Sequence, residues 1–336
     1  MIILTACTPL AAATAAEPGN GQEALSGSLV IYSGRSEALL QPVLDAFNQQ
    51  YPAVELLLKA GSNSELANAL IEEQANPQAD VFITTELFTA QALANRDVFQ
   101  PYKPAGIETI PSGFTSADDL WVSLTLRARV IMYNTELVTE ADLPGSIFDL
   151  TDPQWQGRVA TTSSTNGSMQ AQIAAMRQLL GEEATENWLW GLIANDTTFF
   201  GGHTDVRKAV GAGEFALGLV NHYYYYLQLA EGSNVGVIFP DQDEGQIGLI
   251  TNATAAAIAN GASNPAAARA LIDFLLSDQG QRLFAEQNFE YPIRTGLPVH
   301  EGIQPLDNMF LSTLDIASAT NDLDATFDLM EKVGIP

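Results

Sequence analysis

The segment LVIYSGRSEALLQPVLDAFNQQYPAVELLLKAG, residues 29–61, decides the fold. Residues 29–32 form a short apolar run that stops at Ser33-Gly34, the pattern of a buried strand ending in a loop. Leu39, Leu40, Val43, Leu44 and Phe47 then recur at helical spacing, and residues 54–58 read as a second strand. Downstream, residues 64–74 predict a helix with Ser64 as its N-cap, residues 80–83 a third strand and residues 87–95 a third helix. Strands alternating with helices imply a parallel sheet covered on both faces.

Residues 120–124 and 129–134 predict two further strands. A second β/α series follows, with strands at 159–161 and 215–220 and helices at 168–180, 185–194 and 204–212. Strands at 247–251 and 255–258 return to the first series, followed by helices at 265–276 and 277–287 and a helical tail from Leu314-Asp315. Two α/β lobes with a late return describe the type II, two-lobed periplasmic solute-binding fold, whose hinged lobes close on a ligand cleft at the carboxyl ends of the strands. The expected division is 28–128 plus 248–308 for one lobe and 129–247 plus 309–336 for the other, after a leading segment 1–27.

The chain has 336 residues, 46% of them apolar, so it can bury a core despite a formal net charge of −26. The few basic residues are scattered singly, which excludes a phosphate-tracking nucleic-acid surface and disfavours anionic membranes. The sequence carries no Gly-x-Ser-x-Gly elbow, His-rich metal signature or P-loop, so it is not expected to be an enzyme. One cysteine, Cys7, excludes an internal disulfide. Leu4-Thr5-Ala6-Cys7 resembles the lipobox of bacterial lipoproteins, although the apolar run before it is short. Residues 8–27, rich in Ala, Gly, Ser, Thr and Pro, read as a tether. The expectation is a monomeric body, lipid-anchored through Cys7, in the periplasm or on the outer face of the cell membrane.

Asn221-His222-Tyr223-Tyr224-Tyr225-Tyr226 carries the sharpest chemistry. It follows an apolar strand and precedes a helical stretch, which places the first tyrosines at the carboxyl end of the strand, facing the cleft. Adjacent phenols suit a hard cation of high charge, and ferric iron can displace a proton whose pKa is about 10. Tyr225 and Tyr226 are expected to pack, and His222 to point away as a structural histidine.

The chain resembles the ferric-iron-binding proteins of bacterial ABC transporters, a transferrin-like family. The segments 30–37, 79–82, 129–134, 219–224 and Asn288-Phe289-Glu290-Tyr291-Pro292-Ile293-Arg294 carry the likeness, with the tyrosine pair and Phe-Glu-Tyr-Pro the specific ones. The resemblance implies Fe3+ held by Tyr223 and Tyr224, with carbonate or phosphate as synergistic anion. It also implies delivery to an ABC permease and its ATPase. Where relatives place a His, a Tyr or a Glu in the first lobe, this chain has Ser36, Glu37 and Thr85 beside Glu86; where some place a third Tyr, it has Ser168. Tyr32, Glu37 and Glu86 are candidate substitute metal ligands. The resemblance places the anion on the helix N-terminus at Asn166, Gly167 and Ser168, with Ser36, Asn221, His203 and a bidentate Arg35 as further anion-site candidates. The departures leave open capture of a small anion or organic solute, of the phosphonate, thiosulfate or polyamine class, on the same fold.

Overall fold

Strands that read as unbroken apolar runs need cover on both faces, and the computed structural model, which describes residues 25–336, supplies it. The Cys7 lipidation site and nearly all of the expected tether lie outside the described residues. The strands, in chain order, are β1 (Gly27–Ser33), β2 (Val54–Ala60), β3 (Val81–Thr84), β4 (Phe99–Gln100), β5 (Val122–Asn134) and β6 (Val159–Thr162). They continue with β7 (Thr198–Phe200), β8 (Leu217–Asn221), β9 (Val235–Ile238), β10 (Thr251–Ala259) and β11 (Tyr291–Pro292).

In the first lobe β1 pairs in parallel with β2 and β3, and β10 returns antiparallel against β3. In the second lobe β6 pairs in parallel with β7 and β8. Leu29 and Ile31 of β1 are fully buried in a cluster with Leu40, Val43, Leu44 and Phe47, the same residues whose spacing predicts the first helix, Glu37–Gln50. The opposite face of that sheet packs Tyr32 and Phe82 against Leu66, Leu87 and Leu93. A separate cluster around Trp155, Trp188, Leu217 and Leu219 forms the core of the second lobe.

One strand joins the lobes. Upstream of Arg129, β5 pairs with β10 and β11; from Arg129 onward it pairs with β8 and β9. The two strands expected at 120–124 and 129–134 are therefore one strand of 13 residues. Arg127 lies in the gap between the two expected strands, yet it is buried like Arg129, so polarity broke the reading without breaking the strand. The strand expected at 247–251 is a single bridge, Leu249 to Leu311, because Gly248 takes a positive φ and β10 starts only at Thr251. The second helix, Asn63–Glu72, is capped by Ser62 instead of Ser64: the Ser62 side chain accepts from the Glu65 amide, and Glu65 returns the bond to the Ser62 amide. The tail is helical at Ile316–Asn321 and Leu323–Val333, and the first of these helices packs against both Leu87–Ala94 and Gly167–Leu180. No helix of the described residues is long and apolar enough to cross a membrane.

Ile31 is fully enclosed at the centre of the first-lobe core. Ile31→Ala is expected to lower unfolding free energy by about 3 kcal/mol, as removal of buried methylene groups leaves a cavity. Chemical denaturation of the two proteins measures it, and a change below about 1 kcal/mol would mean that the neighbours collapse into the space.

Candidate functional site

The end of β8 delivers the tyrosines. Helix His222–Ala230 begins immediately after Asn221, so Tyr223 and Tyr224 occupy its first turn and are not the strand end expected from the sequence. Their rings lie 4.3 Å apart at 33°. Both line a cavity of about 290 Å³ between the lobes. Arg35, Ser36, Asn63 and Thr85 line it from the first lobe, Arg127 from the shared strand, and residues 165–168 with His203 from the second lobe.

His222 points away from this cavity. It is fully buried, its Nδ1 accepts from the Ala128 amide at 3.2 Å, its Nε2 lies 2.8 Å from the Phe289 carbonyl, and its ring stacks on Tyr291 at 4.2 Å. Burial holds its pKa down, to about 3, so it stays neutral. Tyr226 also packs, its hydroxyl accepting from the Gln304 amide.

The electrostatics of the cleft are set by buried guanidinium groups. Arg35 makes a bidentate pair with Glu290, both bonds 2.9 Å, and donates to Thr254 at 2.8 Å. Burial works against its charge, but the Glu290 carboxylate more than offsets this and raises its pKa. A register shift in β10 between Thr254 and Ala255 lies at this contact. Arg127 donates to the Thr85 carbonyl and, among the described residues, has no carboxylate in salt-bridge range. Arg129 bonds Gln172 at 2.8 Å, Asn221 at 3.2 Å and His203 Nε2 at 3.3 Å. Burial, then the nearby Arg127, depress the Arg129 pKa to about 9. Burial and the same two arginines hold His203 well below its usual range, hence neutral. With Nε2 accepting from Arg129, the tautomer inferred from the hydrogen-bond pattern carries its proton on Nδ1. The His203 ring sits 5.0 Å from Tyr224. Burial and the neighbouring Tyr223 raise the Tyr224 pKa well above its usual value, while Arg35 and Arg127 act against the shift.

Several expected site residues are elsewhere. Tyr32 faces the opposite side of β1, where its hydroxyl donates to Glu73 at 3.0 Å and Lys59 covers its ring. Glu37 is exposed in the first turn of its helix and does not line the cavity. Both oxygens of Glu86 accept from the Thr89 amide at 3.0 Å, capping the helix Leu87–Ala94, and burial raises its pKa. Asn221 is held behind the cavity, accepting from Arg129 and donating to Ser168 at 3.2 Å. Glu290 occupies the Nη1–Nη2 edge of Arg35, which lines the cavity, while the buried Arg35 Nε has no partner among the described residues and leaves the side edge of the guanidinium open to an anion. Ser36, Asn166, Gly167, Ser168, His203, Tyr223 and Tyr224 do line the cavity. Asn166 caps the helix Gly167–Leu180 through the Ser168 amide at 3.0 Å.

Sequence reasoning missed Arg127, Asn63 and Glu290. Arg127 had a signal: two arginines at i and i+2 in an apolar strand share one face. Asn63 had none, because its role depends on contacts across the cleft. Its side chain exchanges hydrogen bonds with Thr85 and lies where a Cβ on Gly167 of the other lobe would fall. Among the described residues no group of three or more His, Cys, Asp or Glu could hold a metal ion. The metal-ligand candidates left in the cleft are the two phenols.

Known proteins resemble the chain over most of its length. The family model for bacterial extracellular solute-binding proteins matches residues 76–312. The chain is 30% identical over 313 residues to the Fe(3+)-binding periplasmic protein of Serratia marcescens, covering 91% of this chain and 90% of that one. Iron-bound HitA from Pseudomonas aeruginosa matches with a TM-score of 0.84 at 28% identity, over 92% of this chain and 99% of that chain. A Trichodesmium protein, IdiA (FutA), in complex with iron and citrate matches with a TM-score of 0.76 at 28% identity, over 92% and 100%.

A Cβ at Gly167 would lie 2.7 Å from Asn63 Nδ2 and 3.2 Å from Thr85 Oγ1, both across the cleft. Gly167→Ala is therefore expected to leave each lobe folded and to disfavour their closure. Small-angle scattering should show a larger radius of gyration for the variant at an unchanged circular dichroism spectrum. An unchanged radius would mean that Asn63 swings aside freely.

Proposed function

The chain belongs to the bacterial extracellular solute-binding protein family, and from that premise we propose that it captures ferric iron in the periplasm for delivery to an ABC permease and its ATPase. The observation that carries this reading is the pair of phenols in one helical turn, at the wall of a cleft whose other charged lining groups are arginines. Fe3+ is a hard ion that favours anionic oxygen donors. Two phenolates leave it one positive charge and open coordination positions. With no clustered carboxylates or imidazoles at hand, an exogenous anion such as carbonate or phosphate completes the shell. Arg127, the N-terminal amides of helix Gly167–Leu180 and Ser36 suit that anion. His203 and Asn221 act through Arg129 to hold the second-lobe wall in place. Lipidation at Cys7 would tether this body to the membrane.

A second reading, capture of a small anion without metal, is favoured by Arg127, which carries a charge with no carboxylate in pairing range among the described residues. One titration separates the two. Apo protein with ferric salt and carbonate should develop a phenolate-to-iron absorption band in the visible. Tyr223→Phe and Tyr224→Phe should each remove most of the colour, and Tyr226→Phe should keep it. A colourless protein whose melting temperature rises with phosphate alone would establish the second reading instead.

The pH dependence has a defined sign. Burial keeps the Tyr224 phenol protonated in the free protein, so at least one proton leaves for each ion bound. Apparent affinity should fall at least about tenfold for each unit by which pH is lowered. Competition with a chelator of known proton affinity across pH 5–8 measures the slope, and a flat profile would remove the phenolate from the site.

A further inference from the structure

We propose that a second cavity between the lobes binds a small organic carboxylate with a compact apolar body. This cavity also measures about 290 Å³. Leu87, Phe88 and Phe114 line it from the first lobe and Ala171 from the second, while Leu314 and Ile316 of the C-terminal segment close another side. Apolar side chains thus form one end of it, and Ser112, Thr251, Ser312 and Thr313 add hydroxyl groups to its wall. Arg129 is its only charged lining residue, and no carboxylate lines it among the described residues.

Arg129 and Asn252 supply the polar end. They are 2% and 7% exposed, so both are effectively buried. Asn252 pairs directly with Arg127 across β5 and β10, which puts its side chain on the sheet face shared by Arg127 and Arg129. That register makes Arg129 its diagonal neighbour, a separation long side chains can span. Three of the five polar groups on these two side chains are committed. Arg129 Nε goes to Gln172 and Nη1 to Asn221 and His203, while Asn252 Oδ1 accepts from the Ala253 amide. Arg129 Nη2 and Asn252 Nδ2 have no partner among the described residues. Two buried donors, one of them cationic, beside an apolar chamber call for an acceptor that is anionic at one end and apolar beyond it. A carboxylate accepting from both satisfies them; a bare inorganic anion would leave the apolar walls unfilled. The site is separate from the tyrosine cleft, and Ser168 is the one residue that lines both.

Benzoate tests this, with benzamide as the uncharged analogue of the same shape and acetate as the charge without the ring. Isothermal titration of the iron-free full chain should show saturable benzoate binding, with benzamide and acetate at least about tenfold weaker. Asn252→Ala, which removes one donor, and Ala171→Leu, which fills the apolar end, should each weaken benzoate about tenfold at an unchanged circular dichroism spectrum. Absence of benzoate binding, equal affinity for benzamide, or unchanged affinity in both variants would overturn the proposal.

Discussion

Three of the ten arginines, Arg35, Arg127 and Arg129, are buried where the lobes meet, and Glu290 is the only carboxylate in a salt bridge with any of them among the described residues. An unpaired buried charge costs several kcal/mol, so much of the surrounding structure serves to hold these groups. Thr254, Gln172, Asn221, His203 and the Thr85 carbonyl are neutral acceptors arranged around the three guanidinium groups. The shared strand β5 places Arg127 and Arg129 on one face at the point where it changes lobes. The depressed Arg129 and the neutral His203 follow from the same crowding of positive charge in a dry site. What remains unsatisfied is donor capacity, at Arg35 Nε, Arg127 Nε and Arg129 Nη2, and an anion entering from outside supplies the acceptors.

The phenols answer to the same field. Burial holds the Tyr224 proton on, while Arg35 and Arg127 pull toward the phenolate. On the ferric reading the balance tips only when a cation of high charge arrives, because only then does the ionised form gain enough to offset its desolvation. On that reading the resting cleft presents the neutral Tyr224 phenol and positive guanidinium groups, and the order of events becomes anion first or anion together with metal.

Most of the fold was legible because its signals are local. The spacing of Leu40, Val43, Leu44 and Phe47 encodes a helix face whatever it packs against, and residues 29–32 encode a buried strand. The tyrosine pair was legible for the same reason: four consecutive Tyr after an apolar strand is a composition signal. The reading failed where residue type and environment disagree. Arg127 fell in the gap between two expected strands and lies inside one strand. Glu37 and Glu86 look like ligands because they are acidic and near the right loops, but one faces solvent and the other caps a helix. Tyr32 was lost to the strand period of two, which sends it to the face away from the cleft. The Asn63–Gly167 contact is invisible in sequence, since it exists only between lobes.

The surface and the cleft carry opposite signs, and distance decides how each acts. A net charge of −26 spread over the exterior is screened within roughly 8–10 Å at physiological salt. It acts on the bulk, where it keeps the protein soluble and gathers cations nearby. Inside the cleft the nearest charges are Arg35 and Arg127, a few contacts from the phenols and little screened. A bare trivalent cation is drawn to the exterior and repelled at the site. A bare anion meets the reverse. An ion already partnered by an anion, presenting oxygen to the arginines and metal to the tyrosines, matches both. On that reading the arginines select for the complex over either component, and the two phenols are sufficient because the anion brings the rest of the coordination shell.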